Sequence, residues 1–314
     1  MGRKKFISGC ALLIFNSILL TSATKDDKKQ GFDMKAFEKS LKPIPAGSLM
    51  YADSSWISEG KVKGRTVNVN SFYLCDHVVT NKEYRMFLRE IRISDPQLYT
   101  KMYPDTLAWF HHRHEYEAMT NMYFWHPGYD SYPVVGVSHQ QAECYCKWLT
   151  DKYMKDPNRK YKNAKVCLPD IYQWDWAAYG GHKGSAYPWP GPYVRNYKGQ
   201  FLANFIHTPE TAVRRFNDTG KLEFYYTNWA DGYFPDPDKN AMLISTAISY
   251  WPNDYGLYNM AGNVAEYVSE VGVTKGGDWN DPGYYIQIWV EEHYENAQST
   301  SDKVGFRVAV EEVK

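Results

Sequence analysis

The chain has no excess of either charge: 36 Lys and Arg balance 36 Asp and Glu, for a formal net charge of +0. Nucleic acid and acidic lipid surfaces therefore exert no general electrostatic pull on it. It has no Cys-x-x-Cys pair of the zinc type, and Cys144-x-Cys146 alone does not make a metal site. There is no tandem repeat and no heptad seam, which excludes solenoids and coiled coils. The apolar run at residues 6–20 is short for a membrane span and contains Ser8, Asn16 and Ser17.

That run is flanked by Gly2-Arg3-Lys4-Lys5 and by the small residues Thr21-Ser22-Ala23, the layout of an export signal over residues 1–23. Ile7-Ser8-Gly9-Cys10 superficially matches a lipoprotein cleavage box, but most of the apolar segment follows it, so lipidation of Cys10 is not expected. Cleavage leaves Cys75, Cys144, Cys146 and Cys167 in an oxidising compartment where disulfides can form. Cys144 and Cys146 lie two apart in a predicted helix and should point to different sides. Residues 24–41 read as a polar linker leading into a short helix, and residues 42–314 as the folded domain. Aromatic residues make up 17% of the chain, with 27 Tyr and 11 Trp, a share that suits loop-rich folds or interaction surfaces.

Along that domain, residues 44–50 and 67–74 read as strands. Thr80 followed by Glu83 is a capping box that starts a helix bearing Tyr84, Phe87 and Leu88. Residues 94–132 are rich in aromatics and histidine with poor periodicity and read as an inserted loop, where His112 and His114 are ligands or idle. Residues 133–137 read as a buried strand. Ser138 caps a helix with Ala142, Tyr145, Cys146 and Leu149 on one face, and Asp170 caps another with Trp174, Ala177 and Ala178 inward, ended by Gly180-Gly181.

The most specific stretch is Asn253-Asp254-Tyr255-Gly256-Leu257-Tyr258-Asn259-Met260-Ala261-Gly262-Asn263-Val264-Ala265-Glu266, followed by Lys275-Gly276-Gly277-Asp278-Trp279. Its oxygen-bearing side chains on a glycine-rich turn suit a hard cation, or cap their own backbone. With Ile44-Pro45-Ala46-Gly47-Ser48, Val79-Thr80-Asn81-x-Glu83-Tyr84, Leu168-Pro169 with Trp174, and Gly305-Phe306-Arg307, it resembles the formylglycine-generating enzyme (sulfatase-modifying factor) family over residues 42–310. The resemblance implies a single α+β domain, irregular and loop-rich, related to the C-type lectin fold.

Active members of that family hold copper on two cysteines just after the Gly-Gly pair. In the same register this chain has Asp281 and Ile286, with Asp278 where a serine is expected. A carboxylate and a hydrocarbon cannot replace soft thiolates, so copper is not expected. Asp278, Asp281, Tyr284 and Tyr285 supply acid-base groups for an unrecognised oxidase, or are turn residues and rim aromatics. The iron-dependent sulfoxide synthases of the family carry a helical domain for which the stretch before residue 42 leaves no room.

The resemblance further implies structural calcium. One ligand set is Asn259, Gly262, Val264 and Glu266; a second is Asn204, Phe205, Asp231 and Tyr233, or an ordinary turn. The insertion itself, with Tyr103-Pro104-Asp105-Thr106-Leu107-Ala108-Trp109 and residues 123–137, is similar to the gliding-motility lipoproteins of the K and J types. Those are structural parts of the type IX secretion and gliding machinery of Bacteroidetes. The resulting expectation is a non-catalytic envelope protein, exported to the periplasm and peripheral to the outer membrane. Its partners would be proteins of that machinery, with a homo-oligomer or ring possible; the alternative is an oxidoreductase with a non-standard site.

Overall fold

The computed structural model describes residues 31–52, 64–112, 116–206, 213–216, 222–224 and 243–312. The export segment 1–23, Cys10, His114, Asp231 and Tyr233 lie outside the described residues. The chain runs through α1 (Met34–Ser40), β1 (Leu41–Ile44), β2 (Gly47–Ala52), β3 (Gly64–Val69) and β4 (Phe72–Cys75). Next come α2 (Asn81–Ser94), α3 (Pro96–Met102), α4 (Ala108–His112), α5 (Glu117–Met122), α6 (His139–Lys155), β5 (Ala164–Cys167) and α7 (Ile171–Tyr179). The remainder holds β6 (Val213–Phe216), β7 (Leu222–Phe224), β8 (Ala265–Tyr267), β9 (Val273–Lys275), β10 (Glu291–His293), β11 (Val304–Phe306) and β12 (Ala309–Glu312).

The strands form two four-stranded sheets, ordered β1-β4-β12-β5 and β10-β9-β8-β11, together with the hairpins β2-β3 and β6-β7. The first sheet is antiparallel throughout. In the second, β11 joins β8 in parallel, with Gly305 opposite Glu266. The last stretch of chain crosses from one sheet to the other: β11 ends at Phe306 and β12 begins at Ala309. Between α7 and the first sheet, Trp174 packs with Ile44, Leu74, Leu257, Met260 and Ala309 in the main apolar core.

Side chains fix the helix starts as the sequence predicts. Thr80 and Ser138 each form reciprocal capping boxes, with Glu83 and Gln141, and Asp170 does the same with Gln173. Satisfying otherwise orphaned N–H groups at both ends of the box places each start residue. Helix α7 ends at Gly180 in the left-handed region, φ 55.

Four expectations need correction. Residues 67–74 are not one strand: β3 pairs with β2 and β4 with β1, so the chain changes partner at residues 70–71. Residues 133–137 are buried but irregular, with one isolated bridge from Thr80 to Pro133. Their backbone groups bond instead to three segments, through Val79, Asp105 and Ser301. Gly136, at φ 72, also sits where a Cβ would lie 2.3 Å from the Asp105 carbonyl oxygen, so the run cannot pleat. Residues 94–132 hold α3, α4 and α5 rather than a loop; Asp95 caps α3 with Pro96 at its first turn. Helices of five to seven residues are too short to display a period. Finally, the linker ends before residue 41, since Phe37 of α1 is buried edge-on to Tyr153, ring centroids 6.0 Å apart.

The four described cysteines are free, with Cys146 buried and Cys144 half-buried. Among the described residues no helix is long and apolar enough to cross a membrane. Replacing either cap, Thr80→Ala or Ser138→Ala, should cost about 1 kcal/mol, read as a lower urea midpoint at unchanged slope.

Candidate functional site

The asparagine-glycine turn is built from side chains that bond to main chain. Asn253 donates from Nδ2 to the carbonyls of Ala177 and Ala178 at 2.8 and 3.2 Å, closing the end of α7, while its Oδ1 accepts from the backbone of Tyr255 and Leu257. Asn259, at φ 51, donates to the carbonyls of Thr246 and Ala247 and accepts from Ser249 Oγ. Asn263, at φ 69, accepts from Ser245 N, Ser245 Oγ and Asn204 Nδ2. Asparagine tolerates these left-handed conformations better than most residues. At Gly262 a Cβ would lie 2.2 Å from the Asn204 carbonyl oxygen, because the 204 segment crosses there in parallel.

Glu266 stands on β8 with 1% of its surface exposed, and Arg307 meets it with 0% exposed. Arg307 donates from Nε to Oε2 at 2.7 Å and from Nη2 to Oε1 at 2.5 Å, and Trp174 Nε1 donates to Oε2 at 2.9 Å. The same guanidinium donates to the carbonyls of Cys75 and Tyr258. The sequence places Asn259, Gly262, Val264 and Glu266 together as a calcium set, and the fold does bring them onto one turn and the strand after it. As arranged, however, they do not fit the ion: the Glu266 charge is balanced by a guanidinium and the Asn259 amide is bonded to the 246–249 loop. A second cation beside Arg307 would be repelled. In the second set, Asn204 and Phe205 are buried at the Gly262 crossing, and the other two members lie outside the described residues.

Beyond Gly276-Gly277, three carboxylates converge. Ligand oxygens of Asp278, Asp281 and Glu292 lie within 4.8 Å of one another. Asp281 Oδ2 accepts from the Asp278 backbone N–H at 2.7 Å, and Asp278 Oδ1 from that of Asn280 at 2.6 Å. Burial, then repulsion from Asp281, pushes Asp278 well above the usual carboxylate range. Burial likewise raises Asp281, against the pull of the Asp278 N–H and Lys303, and lifts Glu292 to about 7. Such a cluster keeps protons that isolated carboxylates would release. Ile286 is fully buried with Tyr187, Ala203, Phe205 and Ala261. One position of the expected thiolate pair is thus an acid in a carboxylate cluster and the other a core hydrocarbon. Tyr284 is half exposed, while Tyr285 lies close enough to the cluster that, after burial, the charges of Glu292 and Asp281 raise its phenol.

The insertion lies over this turn. Trp279 stacks on Trp109 with centroids 6.4 Å apart and packs against His112 and Tyr116. His112 Nδ1 also meets Asp302 Oδ2 at 2.7 Å, which accounts for that histidine as a hydrogen-bond partner. Of the insertion's aromatic rings, Trp109, Tyr123 and Phe124 are buried and Trp125 is exposed, with the rest partly buried; Leu107 and Met122 are exposed as well. Sequence reasoning missed Glu292, which β10 delivers from outside the motif, and gave no role to Arg307 although it quoted the Gly305-Phe306-Arg307 pattern.

Two sheets joined through a buried glutamate-arginine pair, with an asparagine-glycine turn between them, define a mixed helix-and-sheet domain of the sulfatase-modifying type. Residues 37–312 match the family model described as the sulfatase-modifying factor enzyme 1-like domain, and the chain belongs to that family. It is 26% identical to the inactive C-alpha-formylglycine-generating enzyme 2 of Bos taurus, over 85% of this chain and 86% of the relative. It is 27% identical to the formylglycine-generating enzyme of Mus musculus, over 83% of this chain and 63% of that one. Among solved structures, PvdO from Pseudomonas aeruginosa superposes with a TM-score of 0.52 at 17% identity, covering 86% of this chain and 94% of that one. Treponema denticola variable protein 1 does so with a TM-score of 0.53 at 14% identity, covering 86% and 94%.

Two outcomes follow from the buried charges. Arg307→Met, which strands Glu266 without its partner, should cost about 3–5 kcal/mol, and Glu266→Gln combined with it should recover part of that loss in urea titrations. For Glu292 the ordinary value is 4.5 and the folded value about 7. A carboxyl raised on folding contributes fully below pH 4.5, and that contribution is lost as pH climbs to about 7. Glu292→Gln should therefore gain on wild type in unfolding free energy across this window, and a pH-independent difference would contradict the assignment.

Proposed function

We propose that this chain is a non-catalytic member of its family that acts through its surface in the cell envelope, as a component or paralogue of the gliding-motility and type IX secretion machinery. The observation that carries the non-catalytic half is the content of the two thiolate positions: Asp281 is one of three clustered acids and Ile286 is sealed in an apolar core. Neither can hold Cu(I). The match to relatives named inactive, over 85% of the chain, supports the same reading. The envelope half rests on the export-type N-terminus and on the insertion motifs at residues 103–109 and 123–137. Exposed rings away from the insertion, including Trp251, Tyr284 and Trp289, offer the aromatic surface that protein contacts use.

Purified protein incubated aerobically with copper(I) and a cysteine-containing peptide should leave the peptide unchanged by mass spectrometry. Conversion of the cysteine to an aldehyde would establish the oxidoreductase alternative instead. Pull-down of the full chain from its native envelope should enrich secretion and gliding proteins; recovery of sulfatases as partners would overturn the envelope role.

Structural calcium belongs, in this reading, to the set Asn204, Phe205, Asp231 and Tyr233, while Arg307 serves as the brace at Asn259–Glu266. Chelation should lower the melting temperature of wild type but not of Asp231→Asn. An equal drop in both would remove calcium from this set.

A further inference from the structure

The end of β4, whose Cys75 carbonyl Arg307 holds, gathers a thiol, a carboxylate and an imidazole that the site described above does not use. Ligand atoms of Cys75, Asp76 and His77 lie within 4.8 Å of one another. Cys75 Sγ stands 3.8 Å from His77 Nδ1, and Asp76 Oδ1 lies 2.5 Å from the same nitrogen. A tetrahedral zinc ion with its usual bond lengths sets sulfur and nitrogen about 3.6 Å apart. The thiol and imidazole are therefore already at ligand spacing.

The surroundings are those of a built metal site. His77 Nε2 faces Glu83 Oε1 at 3.5 Å, the position of the carboxylate that commonly backs a metal-bound histidine. Ser40 Oγ lies 3.2 Å from Cys75 Sγ and donates its own proton to Phe37 O at 2.7 Å, so in the metal-free state it accepts from the Cys75 thiol. The backbone is pinned: Cys75 N donates to Val308 O at 3.0 Å, Asp76 N to Ser40 O at 2.9 Å, and Asp76 O accepts from Tyr258 N at 2.8 Å. Cys75 is buried, while the side chains of Asp76 and His77 each keep 13% of their surface in contact with solvent.

We infer that Cys75 Sγ, His77 Nδ1 and Asp76 Oδ1 form a three-ligand site for zinc, with the fourth position open to water. Loading releases the thiol proton and any proton on Nδ1, and no electrons move. Asp76 Oδ1 swings from hydrogen-bond contact with Nδ1 to about 3.3 Å from it, the oxygen-nitrogen edge of a zinc tetrahedron. Without metal, the same groups form the ion network Lys42, Asp76, His77 and Glu83, in which Lys42 Nζ holds the other Asp76 oxygen at 3.1 Å. Lys42 is the charge that opposes loading.

The test titrates the reduced full-length chain with Zn2+ against a chromogenic chelator and with Co2+ as a spectroscopic probe. One ion should bind per chain, with a thiolate-to-cobalt absorption that persists in Cys167→Ser and vanishes in Cys75→Ser. Glu83→Gln keeps a side chain able to complete the Thr80 capping box but removes the carboxylate behind His77, and should weaken zinc about 10- to 100-fold. Lys42→Met should tighten it. If Cys75→Ser does not fold, His77→Asn takes its place, with at least a tenfold loss of zinc affinity expected at unchanged circular dichroism. Absence of competition with the chelator, or a cobalt spectrum unaltered by the folded ligand variant, would overturn the assignment.

Discussion

The structure depends on the ion pair between Glu266 and Arg307. Glu266 belongs to one four-stranded sheet, and Arg307 lies in the short connection by which the chain leaves that sheet and enters the other. The guanidinium also holds the carbonyl of Cys75, at the end of β4, and that of Tyr258 in the asparagine-glycine turn. Trp174 ties the carboxylate to α7. Desolvating two charges is expensive and the pair alone adds little net stability. What it fixes is position, because any slip of one sheet past the other would strand several buried donors and acceptors together.

Around that pair, asparagines do the work that regular hydrogen-bond ladders do elsewhere. Asn253, Asn259 and Asn263 each bridge main-chain groups distant in sequence, on turns too irregular to pair as strands. The polarity that makes the motif look like an ion site is thereby consumed in holding segments with little secondary structure. A buried amide must be satisfied by something, and at these three asparagines backbone groups do most of it, helped by the side chains of Asn204, Ser245 and Ser249.

Helix starts were legible because a capping box is a local pattern: Thr80 with Glu83 and Ser138 with Gln141 need no tertiary context. The strand reading of residues 67–74 failed because alternation cannot report a change of partner. The helices at residues 96–122 were invisible because each spans fewer than two turns, and the contacts that hold them are long-range: Met102 O of α3 accepts from the Tyr84 hydroxyl and Trp109 of α4 stacks on Trp279. At the candidate site, Asp278, Asp281 and Ile286 were found by register. Glu292 and Lys303 were not, since long-range pairing of β10 and the approach to β11 bring them in from sequence distances that no spacing rule covers.

Register also locates Asp281 and Ile286, the positions at which the family resemblance would place thiolates. A copper site needs two soft donors facing one open volume. Here Ile286 is buried in an apolar core, and Asp281 joins Asp278 and Glu292 in a cluster whose carboxyls burial raises above their ordinary range. Trp279 is then covered by Trp109, His112 and Tyr116 of the insertion. The two sides of the turn are thus packed differently: Ile286 fills an apolar core, the carboxyls are held above their ordinary range by burial, and the insertion's rings pack on Trp279.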